Sequence, residues 1–203
     1  MSLVDIVKKT IESEDAIIDQ IAEPDVAVYH FLQEQFEKTD VSSNLIFQYV
    51  YCNFYTLDAQ KVDKKFIRGY FELMQSLKGS VDLDMEVLLF KVYHLETDRI
   101  LKFQYSFTSK LAHTLDNNRP IWDSKIARVF SLYLTSIEDN GVNGDMFINA
   151  IENLQSNYRK IIQENLLSST IGKFNQKFDK YSISDTKKLD FIFWALAKVA
   201  SKQ

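Results

Sequence analysis

The chain has 203 residues, of which 46% are hydrophobic and 13% aromatic, and its formal net charge is −4. These values are typical of a packed globular protein and exclude a disordered chain. Five glycines and two prolines are few for this length, which disfavours an architecture of many short strands joined by turns. The composition therefore predicts helices joined by short connections.

Cysteine content and hydropathy indicate the cellular compartment in which the protein is expected. A single cysteine, Cys52, excludes an internal disulfide framework and is typical of a reducing compartment. The first nine residues lack the apolar core of a secretory signal, and the sequence has no run of about 18 apolar residues. We therefore expect a cytoplasmic protein without a membrane-spanning helix.

The charge is unevenly distributed along the chain. Residues 1–90 contain eight Lys and Arg against sixteen Asp and Glu, whereas residues 91–203 contain sixteen against twelve. A local positive excess is what a phosphate backbone requires, so the C-terminal half keeps nucleic acid open as a partner. The alternative is that these are solvated helix faces that differ in sign.

Apolar residues recur at helical spacing along most of the chain, which predicts an all-α fold of roughly nine or ten helices. The predicted helices cover about residues 2–22 (as one or two helices), 24–37, 44–55, 62–77, 84–95, 98–115, a stretch from Asp123 onward, 145–166 and a last helix after Asp185. We expect a bend or break around residues 105–108 and a turn at residues 139–144. Ser182 and Asp185 resemble a capping box before the last helix. We divide the chain into acidic N-terminal helices, residues 1–40, and an all-α domain, residues 41–203.

Metal and cofactor sites are not predicted. The three histidines are far apart in sequence, and neither His-Glu-x-x-His nor Cys-x-x-Cys occurs. No glycine-rich phosphate loop follows a strand, which disfavours nucleotide binding of the Rossmann or P-loop kind. Cys52 lies inside an apolar helix and is predicted to be a core thiol rather than a nucleophile.

Residues 118–130, Asn-Arg-Pro-Ile-Trp-Asp-Ser-Lys-Ile-Ala-Arg-Val-Phe, bring together a proline turn, Trp122 and an aspartate at a predicted helix start. Lys110 lies on the preceding helix, and consecutive helices joined by a short loop are usually antiparallel neighbours. We therefore expect Lys110 and Asp123 to converge, as a candidate nucleophile and its charge partner. The alternatives are that Asp123 is a plain N-cap for the amide of Ile126 and its neighbour, and that Lys110 is an exposed helix lysine.

Residues 123–129, Asp-Ser-Lys-Ile-Ala-Arg-Val, resemble the Asp-x-x-apolar-x-Arg-Val segment of the helix-hairpin-helix DNA glycosylase superfamily. In that family the Asp begins a helix and is the essential acid. Residues 109–112 resemble the segment where bifunctional members place a Schiff-base lysine. The resemblance implies two helical lobes around a cleft with Asp123 and Lys110, and excision of a base flipped out of the duplex. Asp123 would stabilise positive charge on the sugar, and Lys110 would attack its anomeric carbon.

The same hypothesis assigns a set of residues to nucleic-acid binding. Trp122 is predicted to stack on a base, with packing against the preceding helix as the alternative. Arg128 lies just over one helical turn beyond Asp123 and would orient that carboxylate or contact a phosphate. The remaining predicted contacts are Lys102, Tyr105, Arg119 and Lys125. Trp194, by contrast, is predicted to lie in the core.

A second hypothesis rests on residues 102–109, Lys-Phe-Gln-Tyr-Ser-Phe-Thr-Ser, which occupy the place of the family's hairpin and contain no glycine. Glycine in that hairpin lets backbone amides approach a phosphate. Its absence, together with the acidic N-terminal half, favours a non-enzymatic interaction module of the same fold that binds another protein through that half. The surface potential around Asp123 distinguishes the two hypotheses.

Overall fold

The computed structural model describes residues 1–57, 63–98, 103–134 and 142–201. Within these ranges it contains eleven helices and no strand, which confirms the predicted all-α class. None of the helices found there is long and apolar enough to cross a membrane.

The helices have the following bounds: α1 Leu3–Glu12, α2 Glu14–Gln20, α3 Glu23–Lys38, α4 Leu45–Phe54, α5 Lys64–Ser76, α6 Met85–Tyr93, α7 Tyr105–Leu115, α8 Ser124–Phe130, α9 Val142–Gln163, α10 Ser168–Lys177 and α11 Asp185–Ala200. The predicted nucleic-acid contact Lys102 lies outside the described residues, as do residues 139–141 of the predicted turn. The rest of that turn was predicted wrongly, because α9 already begins at Val142.

The predicted count of nine or ten helices omitted α10. Asn165 has a left-handed backbone φ of 54°, which separates α9 from α10. Only Thr170 and Phe174 are buried along α10, so its apolar pattern is too sparse to be read as an independent helix. The long predicted helix that ended near residue 166 is therefore α9, which ends at Gln163.

Side-chain caps place several helix starts. Six N-cap side chains each accept a hydrogen bond from a backbone amide in the first turn of the helix that follows: Ser2, Asn44, Asp63, Asp84, Asp123 and Ser184. Ser184 accepts a hydrogen bond from the amide of Lys187 at 3.2 Å. The capping box predicted to begin at Ser182 is therefore wrong, because the N-cap lies two residues later. Residues 105–108 form the first turn of α7, so no bend occurs within them, and residues 99–102 of the helix predicted over 98–115 lie outside the described residues.

The chain divides into two compact units. The first comprises residues 1–26 and 117–203, and the second comprises residues 27–116. In the first unit, α11 is the central helix and packs against α2, α8, α9 and α10. Its Phe193 ring meets Phe130 edge-on at a centroid distance of 5.0 Å and Tyr158 at 5.5 Å, which joins α8, α9 and α11 in one aromatic core.

The second unit has a core of aromatic side chains, several of which carry buried hydroxyl groups. The Tyr51 and Tyr70 hydroxyl oxygens are 3.2 Å apart, and Tyr70 donates to the carbonyl oxygen of Phe107 at 3.0 Å. These contacts satisfy the polar atoms that burial would otherwise penalise. Cys52 is buried, so its predicted place in the core is confirmed.

Candidate functional site

Asp123 lies in the first unit and caps α8. Its backbone is extended, and its Oδ1 accepts hydrogen bonds from the amides of Lys125 at 2.8 Å and Ile126 at 2.9 Å. These are the contacts expected of a plain N-cap. Both bonds go to one oxygen, and Oδ2 accepts no hydrogen bond from the residues that the structure describes. The carboxylate therefore keeps one oxygen available while it caps the helix.

Lys110 lies in the second unit and is buried on α7. Its Nζ donates a hydrogen bond to the carbonyl oxygen of Tyr55 at 2.9 Å and lies 5.7 Å from the centroid of the Tyr55 ring. The alternative of an exposed helix lysine is therefore wrong, because this amine is held in the core by a backbone acceptor. Lys110 and Asp123 belong to different units, and their convergence stays a prediction.

The other predicted contacts have varied surroundings. Trp122 is half-buried and meets the Phe147 ring of α9 edge-on at a centroid distance of 6.0 Å, while both its stacking on a base and its packing against the preceding helix stay predictions. Tyr105, in the second unit, stacks on Phe103 at 5.7 Å, and burial raises its pKa to about 12. Arg119 is half-buried in the segment before α8, whereas Arg128 is exposed in the last turn of α8.

Two lysines lie against Trp194 in the first unit. The Nζ atoms of Lys125 and Lys198 are 3.6 Å and 3.5 Å from the centroid of its ring. Trp194 is half-buried, which corrects the prediction that it lies in the core. It sits at the edge of the α8–α11 packing, where a tryptophan can bury one part of its ring and present another to cations.

Like charges accumulate around this ring. Partial burial, and then the charge of Lys198, lower the pKa of Lys125, and Arg128 adds to the effect. Asp123 acts in the opposite direction but more weakly than the first two causes. We call Lys125, Arg128, Trp194 and Lys198 the Trp194 surface.

The Trp194 surface carries three basic side chains, those of Lys125, Arg128 and Lys198. None of its three basic side chains lies within 4 Å of a carboxylate among the residues that the structure describes. Other lysines of the same unit differ: Lys173 pairs with Glu14 and Asp15, and Lys180 pairs with Glu23. The Trp194 surface is therefore a local concentration of positive charge without an ion-pair partner in the described part of the chain.

A buried polar cluster also involves α11. Asp190 Oδ1 accepts from the Tyr158 hydroxyl at 3.0 Å and from the amide of Ile121 at 3.3 Å. Asp190 Oδ2 accepts no hydrogen bond within the described ranges, and Lys187 Nζ lies 3.7 Å from it. Burial raises the pKa of Asp190 to about 7 and lowers that of Lys187. We call Lys187, Asp190 and Tyr158 the Asp190 cluster.

The sequence analysis missed most of these groups because, in the last helix, it considered only Trp194 and placed that residue in the core. Positions 187, 190, 194 and 198 follow one another at spacings of three and four residues, which places them on one face of a helix. Three of these positions are charged and the fourth is tryptophan. That spacing could have indicated from the sequence that these four side chains lie on one face of the helix.

No group of three or more His, Cys, Asp and Glu side chains suited to a metal ion occurs in the part of the chain that the structure describes. Comparison with protein-family models, curated proteins and solved structures gave no match for this chain.

Proposed function

We propose that the protein binds nucleic acid through the Trp194 surface. The observation that supports this proposal is the placement of the Lys125 and Lys198 ammonium groups within 3.6 Å of one indole ring, without a carboxylate partner in the described residues. Phosphodiester groups supply the missing negative charge, and an aromatic ring beside them offers a face or edge to a base.

The energetics favour an anion at this place. Two ammonium groups held against one ring repel each other, which costs free energy, and that cost is larger where burial reduces the screening by water. A bound phosphate would offset the repulsion and raise the pKa of Lys125 toward its ordinary value. The free energy of this change is available to binding, and salt should weaken it because the lysines are only partly buried.

The resemblance of residues 123–129 extends the proposal to base excision by a glycosylase-like fold. Support comes from Asp123, which caps α8 with one oxygen and keeps the other available, two residues before Lys125 of the Trp194 surface. In this mechanism the Asp123 carboxylate stabilises an oxocarbenium-like sugar electrostatically. Lys110 acts as the nucleophile only after its amine leaves the Tyr55 carbonyl.

Nucleic-acid binding is tested with fluorescently labelled duplex and single-stranded oligonucleotides over a series of salt concentrations. The variant Lys125→Gln/Lys198→Gln should bind more weakly and with a smaller salt dependence. Each phosphate contact that is lost should reduce the slope of log K against log salt by about 0.9 on duplex DNA or about 0.7 on a single strand.

The matched control is Lys173→Gln/Lys180→Gln, which removes the same charge from the same unit but from lysines that are paired with carboxylates. It should retain most of the wild-type affinity. An equal loss in both double variants would show that only net charge matters and would contradict the assignment to the Trp194 surface. Absence of binding at low salt would contradict the function itself.

A further inference from the structure

The stretch from Val81 to Phe90, in the second unit, presents large apolar side chains to solvent. Val81 is 85% exposed, Phe90 is 62% exposed and Val87 is 51% exposed. Single exposed apolar residues are ordinary on a protein surface, but three within ten residues of the sequence are typical of a segment that binds a partner.

The pattern of α6 explains this exposure. Leu88, Leu89 and Val92 are buried, and α6 packs against α7. Val87 and Phe90 are one turn apart on the side that this packing leaves exposed. A helix that is apolar on both sides has a second face to bury, and its own unit covers only the first.

Carboxylates accompany these apolar groups. Asp82, Asp84 and Glu86 are all exposed, and none of them has a cation within 4 Å among the residues described. Asp84 also caps α6 by accepting from the amides of Glu86 and Val87. Lys91 is the nearest basic residue along the sequence and follows Phe90 directly. We call Val81, Asp82, Asp84, Glu86, Val87 and Phe90 the α6 surface.

We infer that the α6 surface binds a basic amphipathic helix of another protein. The apolar side of such a helix covers Val87 and Phe90, while lysines and arginines along its margin meet the three carboxylates. The inference does not depend on nucleic-acid binding, since the α6 surface and the Trp194 surface share no residue. It assigns the protein partner, which the sequence analysis expected for the acidic N-terminal half, to the α6 surface.

The charge of the α6 surface argues against other occupants. Phosphates of a nucleic acid or of an anionic lipid surface would be repelled by Asp82, Asp84 and Glu86. A second copy of the chain would bring the same three carboxylates to a symmetric contact, because a twofold interface places the same patch on both sides. A basic partner is the one whose charge these residues favour.

The probe is a synthetic amphipathic peptide of about 18 residues, long enough for a marginally stable helix, with leucines along one face and lysines along its margins. A scrambled peptide of the same composition keeps the charge and loses the face, and a third peptide has glutamate in place of each lysine. Fluorescence anisotropy measures the affinity of each peptide for the full chain. The amphipathic basic peptide should bind at least about tenfold more tightly than either of the others, a difference of about 1.4 kcal/mol.

Two variants of the α6 surface separate its contributions. Val87→Ser/Phe90→Ser should weaken binding of the basic peptide about tenfold or more, since buried apolar anchors supply most of the affinity at such contacts. Asp82→Asn/Asp84→Asn/Glu86→Gln should also weaken it and should flatten its salt dependence. Asn at position 84 caps a helix about as well as Asp, so α6 should stay folded.

The matched control is Leu45→Ser/Tyr49→Ser on α4 of the same unit, where both side chains are more exposed than Phe90. It should leave peptide affinity unchanged. The inference is overturned if the scrambled peptide binds equally well, if the α4 variant loses as much affinity as the α6 variants, or if no peptide binds. Sedimentation of the protein alone tests for self-association. Self-association that Phe90→Ser abolishes would mean that the α6 surface binds a second copy of the chain, which would also overturn the inference.

Different variants test the two proposals, so one proposal can be contradicted without the other. Lys125→Gln/Lys198→Gln should bind the basic peptide as the wild type does, and Val87→Ser/Phe90→Ser should bind oligonucleotides as the wild type does. A loss of both activities in either double variant would overturn the assignment of the peptide to the α6 surface.

Discussion

The ammonium group of Lys187 lies 3.7 Å from Asp190 Oδ2, and both side chains are only 6% exposed. A buried pair of this kind loses much of its hydration, and its attraction offsets that loss only when further hydrogen bonds are present. Tyr158 and the amide of Ile121 supply such bonds to the other carboxylate oxygen. Asp190 therefore ties α11 to α9 and to the segment that leads into Asp123.

The first prediction concerns the pH dependence of stability through Asp190. Burial raises the pKa of this carboxyl from 3.8 to about 7, so between these values the folded state holds a proton that the unfolded state has released. The contribution of Asp190 to the free energy of unfolding therefore falls as pH rises from about 4 to about 7, by at most about 1.4 kcal/mol per pH unit. Asp190→Asn removes this slope, and urea unfolding of both proteins at pH 5 and pH 7 measures it.

Asp179→Asn is the control, because it removes an exposed carboxylate from the same unit. Its stability should follow that of the wild type between the two pH values. If the difference between wild type and Asp190→Asn does not change with pH, Asp190 does not titrate in this range in the folded protein.

The second prediction concerns the Tyr158 hydroxyl, which donates to Asp190 Oδ1 at 3.0 Å. This bond lowers the pKa of Asp190, so Tyr158→Phe should raise that pKa above about 7. The loss of stability should be about 1.5–3 kcal/mol at pH 8, where the bond is made to a charged group, and about 1 kcal/mol at pH 5. Carbon-13 NMR titration of the aspartate carboxyls measures the pKa, and Tyr133→Phe, at an exposed tyrosine, is the control.

The third prediction concerns the cap at Asp123. Asp123→Ala removes the acceptor for two amides of α8 and should cost about 1 kcal/mol, whereas Asp123→Asn should change stability by only a few tenths of a kcal/mol. Denaturant unfolding of the three proteins compares them. Equal destabilisation by Ala and Asn would mean that the negative charge, rather than the hydrogen bonds, stabilises this helix start.

The fourth prediction concerns base excision. If the protein releases damaged bases, Asp123→Asn should abolish release although it leaves the fold intact, because a neutral amide cannot stabilise a positively charged sugar electrostatically. Release is measured on a panel of lesion-containing duplexes. Borohydride trapping on abasic DNA should capture a covalent adduct with the wild type and with Lys91→Gln, and none with Lys110→Met.

Release that survives in Asp123→Asn would remove this carboxylate from the mechanism. Absence of both release and adduct over the whole panel would leave Asp123 as a cap. In that case nucleic-acid binding by the Trp194 surface would still be decided by its own variants.

Local patterns in the sequence predicted much of the fold. The spacing of apolar residues predicted the all-α class and most helices, because a helix needs only its own residues to show which face it buries. The helix start at Asp123 was also predicted, since capping is a contact between residues two and three apart. The start of α11 was placed at the wrong serine because Ser182 and Ser184 are both suitable caps, and the choice depends on where the chain enters the core.

The tertiary structure decided which charged groups are buried and which lie together. Lys110 and Lys187 are both lysines on helices, yet one donates to the Tyr55 carbonyl and the other lies beside Asp190. Lys125 and Lys198 are 73 positions apart in the sequence and meet at Trp194 because α8 packs against α11. Hydrophobic periodicity determines the face that a helix buries, but contacts between distant segments determine the charge, hydration and partners of the side chains at its edges.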